Sequence, residues 1–194
     1  MLNVDVVRHE VLDSCSADRL HRLRHRVFFE KLNWEVPSFE GKEIDQFDVS
    51  GTVHVISRNA TNDVTGCIRL MPTTGSYMLK DIFPELLNGQ TAVQDPRVWE
   101  MSRFAVSTRE QETSGFGFGE IAKALIRSAC DFAAQEGIDR YVFVTSVAVE
   151  RLLHTLGVHI HRIAPPRQIG VVRTVACVLE CDEQTHSVLY RRAH

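Results

Sequence analysis

No stretch of the 194-residue chain offers the roughly 18 consecutive apolar residues that a membrane-crossing helix needs. The amino-terminal MLNVDVVRHEVLDS also lacks the basic start and apolar middle of a secretory signal. The chain therefore reads as cytoplasmic, with no membrane partner. Cysteine is sparse: Cys15, Cys67, Cys130, Cys177 and Cys181 are odd in number, scattered and without a C-x-x-C pair. That pattern fits reduced, mostly buried thiols rather than a disulfide framework or a metal site. Six prolines and 11 glycines are too few for a disordered or collagen-like chain. Charge of either sign is not in excess, 22 Lys+Arg facing 25 Asp+Glu for a net −3, which excludes nucleic-acid binding by bulk charge. No repeat, low-complexity tract or Gly/Ser/Pro-rich linker divides the sequence. What is present, 44% hydrophobic residues over this length, suits one self-sufficient domain spanning 1–194.

Periodicity predicts a helix from about Ser16 to Leu32, capped by Ser16 or Asp18, with Leu20, Leu23, Val27 and Phe28 as its apolar stripe. Arg22, Arg24, His25 and Arg26 would form its basic face, and an acidic loop from Glu40 to Asp48 follows. Two strands, Val53 to Arg58 and Thr65 to Leu70, should pair antiparallel about the turn at 59–63. Further on, Leu79 to Leu87 reads as a short helix, Val98 to Val106 as a central strand, and Glu120 to Glu136 as an amphipathic helix stopped by Gly137. Tyr141 to Val147 suits a buried strand, Ala148 to Leu156 a helix, and 158–163 and 171–179 late strands. The order predicts an α/β (α+β sandwich) fold, a mixed sheet flanked by helices.

Two constellations carry chemistry. On the strand 98–106, Glu100 and Ser102 should share one face and Met101 and Arg103 the other, unless a bulge changes the register. A carboxylate among apolar strands is a candidate general base; pairing with a nearby arginine is the alternative. Earlier in the chain, Arg24 and Phe28 lie four apart on one helix face, with Trp34 six residues further on. Glu43, Asp45 and Asp48 follow, without the glycine or terminal glutamate of a calcium loop, so pairing with Arg24, Arg69 or Arg103 is their expected use and no metal is expected.

Taken in order, Arg24-x-x-x-Phe28 with Trp34, Glu43-Ile44-Asp45-Gln46-Phe47-Asp48, Gly66-Cys67-Ile68-Arg69-Leu70 with Pro72-Thr73, Phe83-Pro84 and Trp99-Glu100-Met101-Ser102-Arg103-Phe104 resemble the acyl-homoserine-lactone synthases of the LuxI type. The resemblance runs from about Arg24 to Leu156 and weakens before Arg22 and after Pro166. It implies an N-acetyltransferase-like fold and an enzyme that acylates S-adenosyl-L-methionine from a thioester on acyl carrier protein or coenzyme A. Lactone closure then releases methylthioadenosine, and both reactants are substrates, with no separate cofactor.

By the same resemblance Glu100 is the base, with Ser102 and Arg103 beside it, and Arg24, Phe28, Trp34, Asp45, Asp48, Arg69, Arg103 and Phe104 bind S-adenosylmethionine. Met101, Leu125, Phe143, Thr145, Val147, Val149 and Leu153 would line the acyl site, where a threonine at position 145 tends to accompany 3-oxo-acyl substrates. A backbone N–H near Phe104 or Ala105 is expected to serve the oxyanion. Gly115, Gly117 and Gly119 fit either a phosphate-gripping loop or a plain connection. Lys123, Arg127 and Arg151 are candidates for meeting an acidic carrier protein, and His154, His159 and His161 read as structural or exposed. A generic acetyl-coenzyme-A N-acetyltransferase and a non-catalytic lactone sensor are the alternatives.

Overall fold

The computed structural model describes residues 2–107 and 118–190. In chain order it contains β1 (Asn3–Arg8), α1 (Ser14–Arg24), a π-helical segment (His25–Lys31), β2 (Ser38–Phe39), β3 (Lys42–Glu43), β4 (Val53–Arg58) and β5 (Val64–Pro72). Then come α2 (Met78–Asp81), a 3-10 turn (Pro84–Leu87), β6 (Val98–Val106), α3 (Phe118–Glu136), β7 (Arg140–Ser146) and α4 (Val147–Thr155). The chain closes with β8 (Ile160–Arg162), β9 (Arg167–Ile169), β10 (Val172–Glu180) and α5 (Glu183–Tyr190). Two compact units divide this chain, with boundaries at 70/71, 102/103 and 129/130, so that β6 and α3 each contribute to both.

In the first unit β1, β4 and β5 pair antiparallel, with Val6 opposite Val55 and His54 opposite Arg69. The turn between β4 and β5 is built by Asn59, whose side chain accepts from the N–H groups of Thr61 and Asp63. Strand and pairing are as the sequence predicts. The first helix differs at both ends. Asp13, not Ser16 or Asp18, is its N-cap, accepting from Ser16 N–H at 2.9 Å. The α-helix stops at Arg24 and widens into the π-helical segment, closed by the Leu32 N–H to Val27 carbonyl bond of 3.1 Å. Leu20, Leu23 and Phe28 pack with Ile56, Val64, Cys67 and Ala105 as a core. Gly66 lets α3 approach β5: a Cβ there would lie 2.8 Å from Ser57 Oγ and 2.9 Å from Leu125.

In the second unit the start of β6 pairs parallel with β7, Glu100 opposite Val142 and Met101 opposite Phe143. β10 pairs antiparallel with β7, β8 and β9, which makes the strand pairing mixed. The helix expected over 79–87 is two pieces, because Pro84 supplies no N–H and bars the preceding Phe83 from helical backbone. Val147 is the first residue of α4 rather than the last of β7, since Ser146 caps the helix by accepting from Val149 N–H. Gly137 and Gly157, at φ +72° and +80°, end α3 and α4 as anticipated. Tyr77, Leu79, Leu86, Leu87, Val98, Val142, Ala176 and Val178 form this unit's core.

Candidate active site

Arg24, the last residue of α1, is 1% exposed, so the basic face read from the sequence is in this one position a buried cation. Its guanidinium is bidentate on Asp48 at 2.7 and 2.9 Å and donates from Nε to Glu43. Arg69 on β5 is bidentate on Asp45 at 2.5 and 3.0 Å and reaches Asp48 at 3.1 Å. Arg103 on β6 donates to Glu43 at 2.9 and 3.1 Å and meets Asp45 at 2.6 Å. Three guanidinium groups thus face three carboxylates, a neutral network whose pairing offsets the cost of removing six charges from water. The pairing expected for the acidic segment is the one observed. Glu43, fully buried, bridges Arg24 to Arg103 and belongs to the site beside the residues the resemblance singles out.

The electrostatics follow from the contacts. Burial pushes the Asp48 carboxyl up, but the hydrogen bond and charge of Arg24, with the charge of Arg69, outweigh it and hold the group well below the usual carboxylate range. Burial likewise opposes ionisation of Asp45, and Arg69 and Arg103 overcome it. Arg24 is raised further above its ordinary value by Asp48 and Glu43 in spite of burial.

The aromatic pair is placed by the π-helical segment: Phe28 and Trp34 stack at 5.4 Å and 16°, Trp34 N–H donating to the Phe28 carbonyl. The cation over the Phe28 ring is Arg103, at 5.5 Å, rather than the Arg24 that helical spacing suggests. Arg103 itself stands at φ +51°, a left-handed residue inside a strand, so the simple alternation of 98–106 breaks there. The Cys67 thiol donates to the Arg103 carbonyl at 3.4 Å; burial pushes that thiol up to about 12, which keeps the proton on sulfur.

His54, opposite Arg69 in the β4–β5 pair, is buried and contacts His9 ring nitrogen to ring nitrogen at 3.1 Å. Burial lowers it from 6.5 to about 3. Below pH 6.5 the unfolded chain binds a proton that the folded protein refuses, so stability is full above 6.5 and falls as pH drops toward 3. Equilibrium urea unfolding from pH 7 to 4.5 should show this decline, and His54→Gln should flatten it; an unaltered slope would exclude His54 as its source.

In the second unit Glu100 is 1% exposed and accepts from Leu79 N–H at Oε1, 2.7 Å, and from Met78 N–H at Oε2, 2.9 Å. Each carboxylate oxygen thus has a backbone N–H to fix its orientation. Across β6 and β7, Glu100 shares a face with Val142, and Met101 shares the opposite face with Phe143 and Thr145. Met101, Phe143 and Leu153 are buried, while Thr145, Val147 and Val149 are half-buried. Leu125 belongs to the first unit, on α3. Ser102 and Phe104, flanking Arg103, are half-buried. Lys123 and Arg127 are half-buried on α3, and Arg151 is exposed on α4. Gly115 and Gly117 lie outside the described residues, and a Cβ at Gly119 would meet nothing within 4 Å.

Each of the three late histidines has a carboxylate neighbour: His159 bonds Asp182 at 2.5 Å, and His154 and His161 stand 3.9 Å from Glu150 and Glu180. Among the described residues no group of three His, Cys, Asp or Glu side chains is placed to hold a metal ion. Nor is any described helix long and apolar enough to cross a membrane.

The sequence profile of the autoinducer synthase family matches residues 8–189. The acyl-homoserine-lactone synthase of Pseudomonas aeruginosa is 34% identical over 189 residues, 96% of this chain and 93% of that protein. Among solved structures, the AHL synthase LasI matches with a TM-score of 0.91 at 34% identity, covering 98% of this chain and 95% of its own. TofI, in a ternary complex with an inhibitor and MTA, gives 0.84 at 34% identity over 96% of each chain. A putative N-acetyltransferase from Lactobacillus plantarum, 13% identical, gives 0.62 over 93% of this chain and 99% of its own, a likeness of fold alone. Fold and relatives define an acyltransferase on an N-acetyltransferase-like framework. The chain belongs to the autoinducer synthase family and is an acyl-homoserine-lactone synthase, which makes a quorum-sensing signal from S-adenosyl-L-methionine and an acyl thioester.

Proposed function

We propose that Glu100 is the general base of this synthase and that the network of Arg24, Glu43, Asp45, Asp48, Arg69 and Arg103 shapes the S-adenosylmethionine site together with Phe28, Trp34 and Phe104. The observation that carries the assignment is Glu100 itself, a buried carboxylate whose two oxygens each accept from a backbone N–H. The substrate α-ammonium must lose a proton before it attacks, and a carboxylate anion can take that proton directly or through a water. The amine then adds to the thioester carbonyl, and the oxyanion is met by a backbone N–H after the left-handed Arg103, with Ser102 beside it. Collapse expels the thiol. The methionine carboxylate next attacks its own γ-carbon and releases methylthioadenosine; the sulfonium is already a good leaving group, so holding the carboxylate close is the main task.

Met101, Leu125, Phe143, Thr145, Val147, Val149 and Leu153 take the acyl chain in this reading, with Thr145 able to hydrogen-bond a 3-oxo group. The donor is carried by acyl carrier protein or coenzyme A, and Lys123, Arg127 and Arg151 meet the acidic carrier. The whole chain acts as one synthase domain in the cytoplasm. Support comes from the family's chemistry and from TofI, which holds MTA in its ternary complex. The generic acetyltransferase and the sensor are not favoured.

Purified enzyme supplied with S-adenosylmethionine and acyl donors on both carriers should form lactone and methylthioadenosine in equal amounts, read by mass spectrometry. Absence of both with every donor, from folded protein, would reject the reading. Because Trp34 stacks on Phe28 beside Arg103, Trp34→Ala should raise KM for S-adenosylmethionine about tenfold and leave KM for the acyl donor within about twofold. Equal rises in both would remove Trp34 from the S-adenosylmethionine site.

A further inference from the structure

We infer that Asp81, at the end of α2, is a positioning residue for Glu100, and this rests on the reading of Glu100 as the base. A helix of four residues does not hold itself, since its nucleus costs more than its few hydrogen bonds return. The shape of the 76–83 turn must therefore come from side chains. The Asp81 carboxylate closes it from within, accepting from Ser76 Oγ and from Tyr77 N–H at 3.2 Å, while Asp81 N–H donates back to the Tyr77 carbonyl at 3.0 Å. Tyr77 is itself fixed: its side chain is fully buried and its phenol donates to the Val93 carbonyl at 2.6 Å. At the far side Ile82 and Phe83 both donate to the Met78 carbonyl, at 2.8 and 3.1 Å.

The two peptide units left in the middle of this brace, at Met78 and Leu79, are the ones whose N–H groups point at Glu100. Asp81 thus acts on the base through the backbone. It sets where the two donors stand, they fix the carboxylate's orientation, and that orientation selects which lone pair faces the proton to be removed. Arg24, Arg69 and Arg103 are tied to Glu43, Asp45 and Asp48, so KM for S-adenosylmethionine is the readout that separates a loss of positioning at Glu100 from a general loss of structure.

The test is a double-mutant cycle read as kcat and as KM for S-adenosylmethionine, with thermal melting as the check on folding. Asp81→Ala should lower kcat about tenfold with KM within about twofold, and Asp81→Asn, which keeps an acceptor for Ser76 and Tyr77, should recover most of the loss. In the Glu100→Gln background the added Asp81→Ala should cost less than about twofold, because the group it positions has gone. If Asp81→Ala does not fold, Ser76→Ala takes its place in the cycle. A penalty that persists undiminished in the Gln background, or an Asn variant as slow as the Ala variant, overturns the positioning role. Parental kcat in Glu100→Gln alone would instead overturn the base assignment, so the two failures are distinguishable.

Discussion

Glu100→Gln should lower kcat by about 10²- to 10⁴-fold, the range expected when a positioned proton acceptor is lost, while KM for S-adenosylmethionine stays within about threefold. The substitution keeps the shape and one carbonyl oxygen, so at least one of the Met78 and Leu79 N–H groups keeps its acceptor. What disappears is the charge that accepts the proton. Steady-state release of methylthioadenosine, with circular dichroism to check the fold, measures this. A variant that turns over at the parental rate would show that the ammonium is deprotonated by another group or by solvent, and Glu100 would then be a structural anchor for the 76–83 turn.

The second large effect concerns stability rather than turnover. Arg24→Ala removes a buried cation and leaves Glu43 and Asp48, each about fully buried, facing a void in place of their partner. Leaving one side of a buried ion pair uncompensated typically costs about 3–5 kcal/mol, which approaches the whole stability of an ordinary domain. The urea midpoint should fall steeply or the protein should fail to accumulate. Arg22→Ala, two residues away on the solvent side of α1, where Arg22 is exposed and pairs with the half-buried Asp18, should hardly move that midpoint. Similar losses from both would mean that the helix loses charge in general and that the Arg24 network has no special weight.

The contrast between these two arginines also marks how far the sequence could be read. Strands 53–58 and 98–106 were visible because their apolar residues and flanking turns are local signals. Arg24 stood out through its spacing from Phe28 and through the family motif, but its burial did not. Periodicity places an arginine on a polar face, and nothing local reveals partners 19 and 24 residues away that make its burial tolerable. The Asp13 cap was missed for a simpler reason, since Ser16 and Asp18 offer equally good capping groups three and five positions later. Glu43 could have been added to the site from its neighbours Asp45 and Asp48, three carboxylates in six residues being more than a solvated loop requires. The donors to Glu100 could not, because a backbone N–H carries no residue signature. The left-handed Arg103 is also silent in sequence: glycine would announce such a bend, and here an arginine adopts it with its guanidinium tied to Glu43 and Asp45.

The six-membered ionic network also constrains how this protein could change over generations. Each carboxylate serves at least two arginines and each arginine at least two carboxylates. Any single replacement that removes one of these charges therefore strands another in a dry place, whereas an apolar repacking of the same volume would have to arrive at several positions together. Replacement at an exposed position such as Val171 strands no charge, whereas loss of charge at any of these six carries that cost whether or not the side chain ever touches a substrate.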